Sequence, residues 1–289
     1  MDGSYSSKLQ LWEGWLPARR QGPAPPERGL AGPHHPEQLA ERLFAAEALH
    51  DGRTGREGAE PFTLQWFLDV ENVRLGRHGR WVPRLLEFAK HGGEVLLGLG
   101  NGLGTDWAQY ARHGAEVVVC SPSAEQLGLV RRNFALRGLG GAFLHASPAA
   151  LPLETATIDV ACVSNLLHEA DDPRAVVEEV YRVLKPGGKV LALAPARYDV
   201  DFWCRRCLPW YGWRKGPAPA GARFSGRGLR RLFGRFVEPR VYKRHLRRAD
   251  VPHLWRWAPL PLLERLYGRF LVIKAFKPLS AAMAVPLAA

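Results

Sequence analysis

A run of closely spaced glycines follows an apolar stretch and precedes a predicted helix. The run contains Gly98, Gly100, Asn101, Gly102 and Gly104. Glycine lets a chain turn tightly and lets a ligand approach the backbone, because no Cβ stands in the way. The helix that follows offers unpaired N–H groups at its start. This arrangement predicts a small-molecule site against the backbone at residues 98–104.

Two common phosphate-binding motifs do not fit the glycine run. The dinucleotide pattern GxGxxG would need a glycine at Leu103 or at Thr105. A P-loop would need Gly-Lys-Ser/Thr after the turn, and the sequence has none there. The spacing that does fit is GxGxG, at Gly100, Gly102 and Gly104.

Polar and titratable side chains lie near two predicted strand ends. Asn165, His168 and Glu169 follow one strand, and Asp106 lies two residues beyond the glycine run. Ligands of open α/β sheets bind at the carboxyl ends of the strands, and histidine titrates near neutral pH. His168 or Glu169 is therefore a candidate general base for a hydroxyl acceptor. The alternatives are a loop histidine that orders the turn and, at Asp106, an acid favoured by the helix dipole.

The elements that position these residues alternate between strands and helices from residue 94 onward. Strands are predicted at 94–99, 116–120, 143–145, 158–163, 189–194, 237–246 and 270–276, and helices at 105–113, 123–137 and 173–184. Strands that alternate with helices pair in parallel and form a doubly wound sheet with helices on both faces.

This stretch resembles the class I S-adenosylmethionine-dependent methyltransferases of the small-molecule, type 11-like kind. GxGxG resembles their motif I, HGAEVVVCSPS their second strand, and RVLKPGGKVLALAP their turn and fifth strand. The match covers about residues 70–246 and includes Val70-Glu71-Asn72-Val73-Arg74 before the core. The resemblance implies an α/β, Rossmann-like, mostly parallel seven-stranded sheet with an antiparallel last strand. It also implies S-adenosylmethionine as the cofactor.

The resemblance also implies which residues contact the cofactor. They are Gly98, Gly100, Asn101, Gly102, Gly104, Asp106, Cys120, Ser121, Ser147 and Asn165. Three of these positions, Gly98, Ser121 and Ser147, commonly hold an acidic residue in the family. A carboxylate makes charge-assisted hydrogen bonds of about 1.5–3 kcal/mol each, and serine binds more weakly.

Two functions follow from this pattern. The first is methyl transfer from S-adenosylmethionine to a small acceptor of lipid-like or aromatic character. The alternative is a catalytically degenerate binding module on the same fold, whose C-terminal third binds nucleic acid, an anionic membrane surface or a protein partner.

The positive charge of the chain lies in its last third. The net charge is +12, yet residues 197–289 hold 20 of the 40 Lys and Arg residues and only 5 of the 28 Asp and Glu residues. Five of the ten tryptophans lie there as well. Basic groups interleaved with aromatic rings suit a nucleic acid, an anionic lipid surface or an acidic substrate. We expect a peripheral membrane or nucleic-acid contact through 197–250, with a solvated basic face as the alternative.

Length and composition exclude several classes of protein. At 289 residues, 46% hydrophobic and 24% charged, the chain is neither wholly disordered nor fibrous. No apolar run reaches the roughly 18 residues that span a bilayer, and the first residues show no secretory signal. Four cysteines are no disulfide framework, and the lone pair Cys204 and Cys207 predicts no metal site. A cytoplasmic location is expected.

The predicted domain organisation has four parts. Residues 1–60 are expected to form a mobile arm with one helix, and residues 61–90 a helical cover segment. Residues 91–280 form the methyltransferase-like domain, with insertions at about 197–223 and 247–269, and residues 281–289 are a tail.

Overall fold

One seven-stranded sheet organises the computed structural model, which describes residues 59–76, 79–207 and 222–279. The strands are β1 (Val95–Gly100), β2 (Glu116–Ser121), β3 (Ala142–His145), β4 (Ile158–Ser164), β5 (Leu184–Pro195), β6 (Val237–Arg244) and β7 (Phe270–Phe276). Their order across the sheet is β3-β2-β1-β4-β5-β7-β6. The predicted arm with its helix and the predicted tail lie outside the described residues.

Eight helices surround the sheet in the described ranges. They are α1 (Leu64–Leu75), α2 (Trp81–Leu85), α3 (Thr105–Arg112), α4 (Ala124–Leu136), α5 (Pro173–Val183), α6 (Val200–Cys207), α7 (Gly226–Leu232) and α8 (Leu260–Tyr267). Two 3₁₀ turns, Arg248–Asp250 and His253–Trp255, precede α8. None of these helices is both long and apolar enough to cross a membrane.

The strand directions confirm the predicted fold. Strand β1 pairs in parallel with β2 and with β4, and β4 pairs in parallel with β5. Strand β7 is antiparallel to both β5 and β6. The central strands are apolar and buried, as strands covered on both faces must be.

Successive side chains of β1 build the cores on the two faces of the sheet, because strand side chains alternate between faces. Leu97 and Leu99 pack with the buried residues of α5 and α7. Leu96 packs on the other face with Trp107 of α3 and Phe134 of α4.

Strand β5 is longer than the predicted strand at 189–194. It begins at Leu184, directly after α5, and takes in the Pro-Gly-Gly turn. Gly187 has a positive φ of 78°, and its N–H donates to the carbonyl of Lys277 beyond β7. The turn is therefore held by a hydrogen bond to the segment after β7. The sequence pattern of residues 184–188 does not indicate this contact.

The carboxyl ends of the central strands bring the predicted sites together. Gly100 of β1 lies beside Ser164 of β4, and Ser164 lies beside Leu193 of β5. Pro195 pairs with Phe270 at the start of β7, so the C-terminal elements that precede β7 reach the same edge. These elements form a small core of their own around Val200, Cys204, Leu246, Val251, Ala258 and Leu263.

Candidate functional site

The glycine turn connects β1 to α3 at the carboxyl edge of the sheet. A Cβ on Gly100 would lie 2.2 Å from the carbonyl oxygen of Ser164. Gly104 has a positive φ of 77°, and a Cβ there would lie 2.6 Å from a methyl group of Val130. Packing within the protein therefore requires glycine at both positions, because a larger residue would clash with Ser164 or Val130.

Gly98 faces a tryptophan rather than the turn. A Cβ on Gly98 would lie 2.7 Å from Nε1 and from Cδ1 of Trp107. The Trp107 indole is buried, and its N–H has no hydrogen-bond partner among the described residues. The indole thus fills the space in which the family commonly has an acidic side chain.

A buried ion pair lies beside the turn. Arg74 of α1 is 2% exposed and Asp106 of α3 is 4% exposed. The Arg74 Nε donates to Asp106 Oδ1 at 2.6 Å, and its Nη2 donates to Asp106 Oδ2. Nη2 also donates to the Ser164 hydroxyl at 3.1 Å, and that hydroxyl donates to Asp106 Oδ2 at 3.0 Å. These hydrogen bonds therefore connect α1 to the start of α3, directly after the glycine turn, and to the end of β4.

Sequence reasoning did not single out Arg74 as a site residue, although helical spacing carries a signal for it. Phe67, Val70 and Arg74 follow at i, i+3 and i+7, so they share one face of α1. Phe67 and Val70 pack against Leu103 of the glycine turn. An arginine on such an apolar face requires a buried anion, which Asp106 provides.

A cleft opens between the glycine turn and the end of β4. It is lined by Arg74, Gly102, Gly104, Thr105, Asp106, Trp107, Ser164 and Asn165. Asn165 has a positive φ of 52°, a conformation that costs energy for a residue other than glycine. Its Oδ1 is buried and has no hydrogen-bond partner in the part of the chain that is described. The cleft therefore presents an unused acceptor.

The end of β2 is closed by a glutamine that sequence reasoning also missed. The Ser121 hydroxyl donates to Gln126 Oε1 at 3.0 Å and accepts from the Ser123 N–H at 3.2 Å. Gln126 Nε2 donates to the carbonyl of Gly102 at 2.8 Å. Ser121 and Gln126 therefore hold the glycine turn against β2.

Cys120 and Ser147 do not join this cleft through any bond among the described residues. The Cys120 thiol donates to the carbonyl of Ala146 at 3.4 Å, and burial raises its pKa to about 12. The Ser147 hydroxyl accepts from the Ala149 N–H at 3.3 Å in the turn after β3. Their predicted cofactor contacts stay predictions.

His168, Glu169 and Asn101 form a polar cluster at the mouth of the glycine turn. Asn101 Nδ2 donates to Glu169 Oε2 at 2.5 Å, and His168 Nε2 lies 3.3 Å from Glu169 Oε1. The hydrogen bonds from His168 and Asn101 lower the pKa of Glu169 despite its partial burial. His168 Nδ1 is buried and has no partner within the described ranges. The structure thus joins a predicted cofactor residue to both predicted catalytic residues.

Comparison with known proteins identifies a domain within the chain. Residues 95–192 match the model of a methyltransferase domain. The demethylmenaquinone methyltransferase of Clavibacter sepedonicus is 36% identical over 124 residues, which cover 43% of this chain and 49% of that protein. A protein of the same name from Thermus thermophilus is 32% identical over 125 residues, which cover 42% of this chain and 56% of the relative. Residues 95–192 are therefore a methyltransferase domain of the class I S-adenosylmethionine-dependent kind. The chain spans about half the length of these curated relatives.

A solved structure shares the fold of this chain. The [4+2]-cyclase SpnF superposes with a TM-score of 0.52 over 84% of this chain and 96% of that chain, at 18% identity. At this identity the likeness concerns the fold alone.

S-adenosylmethionine is the cofactor of such domains, as predicted, and the cleft offers it one acceptor that is unpaired among the described residues. A buried acceptor without a donor is satisfied when a ligand N–H or O–H group reaches it, and Asn165 Oδ1 is such an acceptor. The residues that would hold the cofactor are Asn165, Asp106 and the backbone of Gly102 and Gly104. Gly98 supplies no charge because glycine has no side chain, and the Trp107 ring occupies the space in front of it.

Proposed function

We propose that this chain transfers the methyl group of S-adenosylmethionine to a quinone-like, lipid-soluble aromatic acceptor. The observation that carries the proposal is the bonded cluster of Asn101, Glu169 and His168 beside the glycine turn. The acceptor class is supported by two relatives named demethylmenaquinone methyltransferase. The comparisons give no support to a degenerate binding module.

The cofactor site and the proposed base lie on adjacent strand ends. Bound S-adenosylmethionine supplies a methyl group to the acceptor, which gives up a proton in exchange. Asn165 and the backbone at Gly102 and Gly104 hold the cofactor at the end of β1. The side chain of His168 follows β4, the next strand in the sheet. Proximity and orientation are then the main contributions of the fold.

His168 takes the acceptor's proton at Nδ1. Its Nε2 faces the carboxylate of Glu169 at 3.3 Å, which places the ring proton on Nε2. Nδ1 is then left as an acceptor, and it is buried without a partner in the described structure. A base atom that is oriented by a second group through the other ring nitrogen is the arrangement that general-base catalysis uses.

The carboxylate of Glu169 keeps the ring proton of His168 on Nε2 and so leaves Nδ1 as an acceptor. Because its pKa is lowered, Glu169 stays ionised at neutral pH and over part of the acidic range in which an ordinary glutamate becomes protonated. The carboxylate then stabilises the positive charge that forms on His168. Asn101 donates to the second carboxylate oxygen at 2.5 Å, so a hydrogen bond links the glycine turn to the residue that orients the base.

The test is a methyl-transfer assay with S-adenosylmethionine labelled in its methyl group and a short-chain demethylated quinol as the acceptor. We expect label in the quinol with the natural chain and a fall in kcat of at least about a hundredfold for His168→Gln. Affinity for S-adenosylhomocysteine stays unchanged in that variant. The control is His145→Gln, which alters an exposed histidine outside the cluster. Equal kcat for His168→Gln and the natural chain would rule out His168 as the base.

A further inference from the structure

Exposed hydrophobic side chains are concentrated on one part of the molecule. Nine large hydrophobic side chains are exposed in the described residues, and six of them lie between 198 and 266. These six are Tyr198, Phe202, Trp203, Trp257, Leu262 and Leu266. We call them the apolar face. The most exposed member, Trp257, is 85% exposed.

Direct contacts join the part of the apolar face on α6 to the part on α8. Lys243 Nζ donates at 2.5 Å to the carbonyls of both Tyr198 and Leu266, so the start of α6 lies beside the end of α8. The rings of Trp203 and Tyr267 are 6.4 Å apart, and Tyr267 stacks on Trp255 at 5.0 Å. Trp257 follows two residues after this stack.

The acidic residues beneath the apolar face are used internally. Asp199 pairs with Arg223 at 2.7 Å, and Asp201 pairs with Arg269. Asp250 pairs with Arg247 at 3.1 Å. All three carboxylates are largely buried. Residues 197–289 hold five acidic residues. Because three of them are buried and paired, they add little negative charge to the surface of this region.

Arginines flank the apolar side chains. Arg206 follows Phe202 at i+4 on α6, and Arg265 follows Leu262 at i+3 on α8, so each lies on the same helix face as its neighbour. Both are exposed. Tryptophan, leucine and arginine side by side are typical of surfaces that lie in the headgroup region of an anionic bilayer.

We propose that the apolar face docks on an anionic phospholipid bilayer. Trp257, Leu262 and Leu266 enter the boundary between headgroups and acyl chains, and Arg206 and Arg265 contact lipid phosphates. Helices α6 and α8 lie at the carboxyl edge of the sheet, the edge that also carries the catalytic cluster. Docking would therefore present that edge to a lipid-soluble acceptor. In this last point the inference rests on the proposed function.

Vesicle co-sedimentation tests the docking without acceptor or cofactor, so its failure is separate from failure of methyl transfer. The vesicles contain phosphatidylcholine alone or mixed with phosphatidylglycerol. We expect sedimentation with the mixed vesicles, weakened about tenfold by Leu262→Ser and about tenfold by Trp257→Ser. Arg206→Gln with Arg265→Gln weakens it as well, and salt reduces the binding without abolishing it. The substituted residues are exposed, so the variants are expected to melt like the natural chain.

The matched control is Leu136→Ser, which alters a side chain that is 40% exposed on α4, a helix packed on β2 and β3 rather than on the apolar face. It is expected to bind vesicles like the natural chain. Three results would overturn the proposal. The first is no sedimentation with either kind of vesicle. The second is vesicle binding by the Leu262→Ser and Trp257→Ser variants that equals the binding of the natural chain. The third is that these variants keep vesicle binding and lose binding to polyuridylate, or self-association, instead.

Discussion

Two non-glycine residues with left-handed backbone lie at opposite edges of the sheet, and they differ in how their side chains are satisfied. Glu87 has a φ of 58°, and its carboxylate accepts from Lys189 at 2.8 Å and from Lys274 at 2.7 Å. Asn165 has a φ of 52°, and its buried Oδ1 has no partner among the described residues. The left-handed backbone at Glu87 carries a paired side chain, whereas that at Asn165 carries an acceptor unpaired among the described residues, and strained residues cluster at functional sites.

The same contrast extends to the charges around these residues. At the amino edge, Glu87 joins strands β5 and β7 through two lysines, which stabilises the sheet. At the carboxyl edge, the pair of Arg74 and Asp106 lines an open cleft. We therefore expect Glu87 to act on stability alone, and the carboxyl edge to act on stability through Arg74 and Asp106 and on ligand binding through Asn165. The following variants test this division, beginning with the largest expected effect.

Removing Arg74 alone should be the most damaging change. Arg74→Met leaves Asp106 buried without its main partner, which costs about 3–5 kcal/mol of unfolding free energy. The double variant Arg74→Met with Asp106→Asn should lose less, since no unpaired charge remains. Denaturant unfolding of the single and double variants measures both values. If the double variant is no more stable than Arg74→Met alone, the pair is not coupled as its geometry indicates.

Replacing Glu87 should lower stability without touching the cleft. Burial alone would raise the pKa of Glu87, but the hydrogen bonds and charges of Lys189 and Lys274 lower it to about 2. A lowered folded-state pKa gives stability that is present above the unfolded value near 4.5 and is lost as the pH falls toward 2. Glu87→Gln should therefore cost about 1–3 kcal/mol at neutral pH, after allowance for solvent screening.

Two further measurements on Glu87→Gln are ligand affinity, as the control, and the pH dependence of the unfolding free energy. The variant should bind S-adenosylhomocysteine like the natural chain, and its unfolding free energy should vary less with pH between about 4.5 and 2. An unchanged pH profile would show that Glu87 does not stabilise the sheet through its charge.

Asn165→Gly should show the smallest change in stability. Glycine relieves the left-handed backbone, so the unfolding free energy should stay equal or rise by up to about 1 kcal/mol. The loss of Oδ1 should weaken S-adenosylhomocysteine binding about tenfold. Thermal unfolding and calorimetric titration separate the two effects. Unchanged affinity would place the ligand away from Asn165.

The sequence predicts the sheet and the site unequally well. Alternating apolar strands and helices predict the doubly wound sheet, because each strand of 116–120 or 158–163 is apolar and short. The turn at 98–104 and the loop with His168 and Glu169 follow from the rule that ligands bind at strand ends. Their bonding through Asn101 depends on the pairing of β1 with β4, which no local pattern encodes.

Other parts of the site depend on contacts distant in sequence. Arg74 reaches Asp106 across 32 residues and Ser164 across 90. Trp107 covers Gly98 only because α3 packs back onto β1. The family pattern indicates that an acid is missing at Gly98, but it does not indicate what takes its place.

The central claim is that the cleft between the glycine turn and Asn165 binds S-adenosylmethionine. Calorimetric titration of the purified, ligand-stripped chain with S-adenosylmethionine and separately with S-adenosylhomocysteine tests it most directly. The account predicts that both ligands bind with a micromolar Kd, which corresponds to a binding free energy of about −8 kcal/mol. No binding at millimolar ligand, from protein shown by thermal unfolding to be folded, would contradict it.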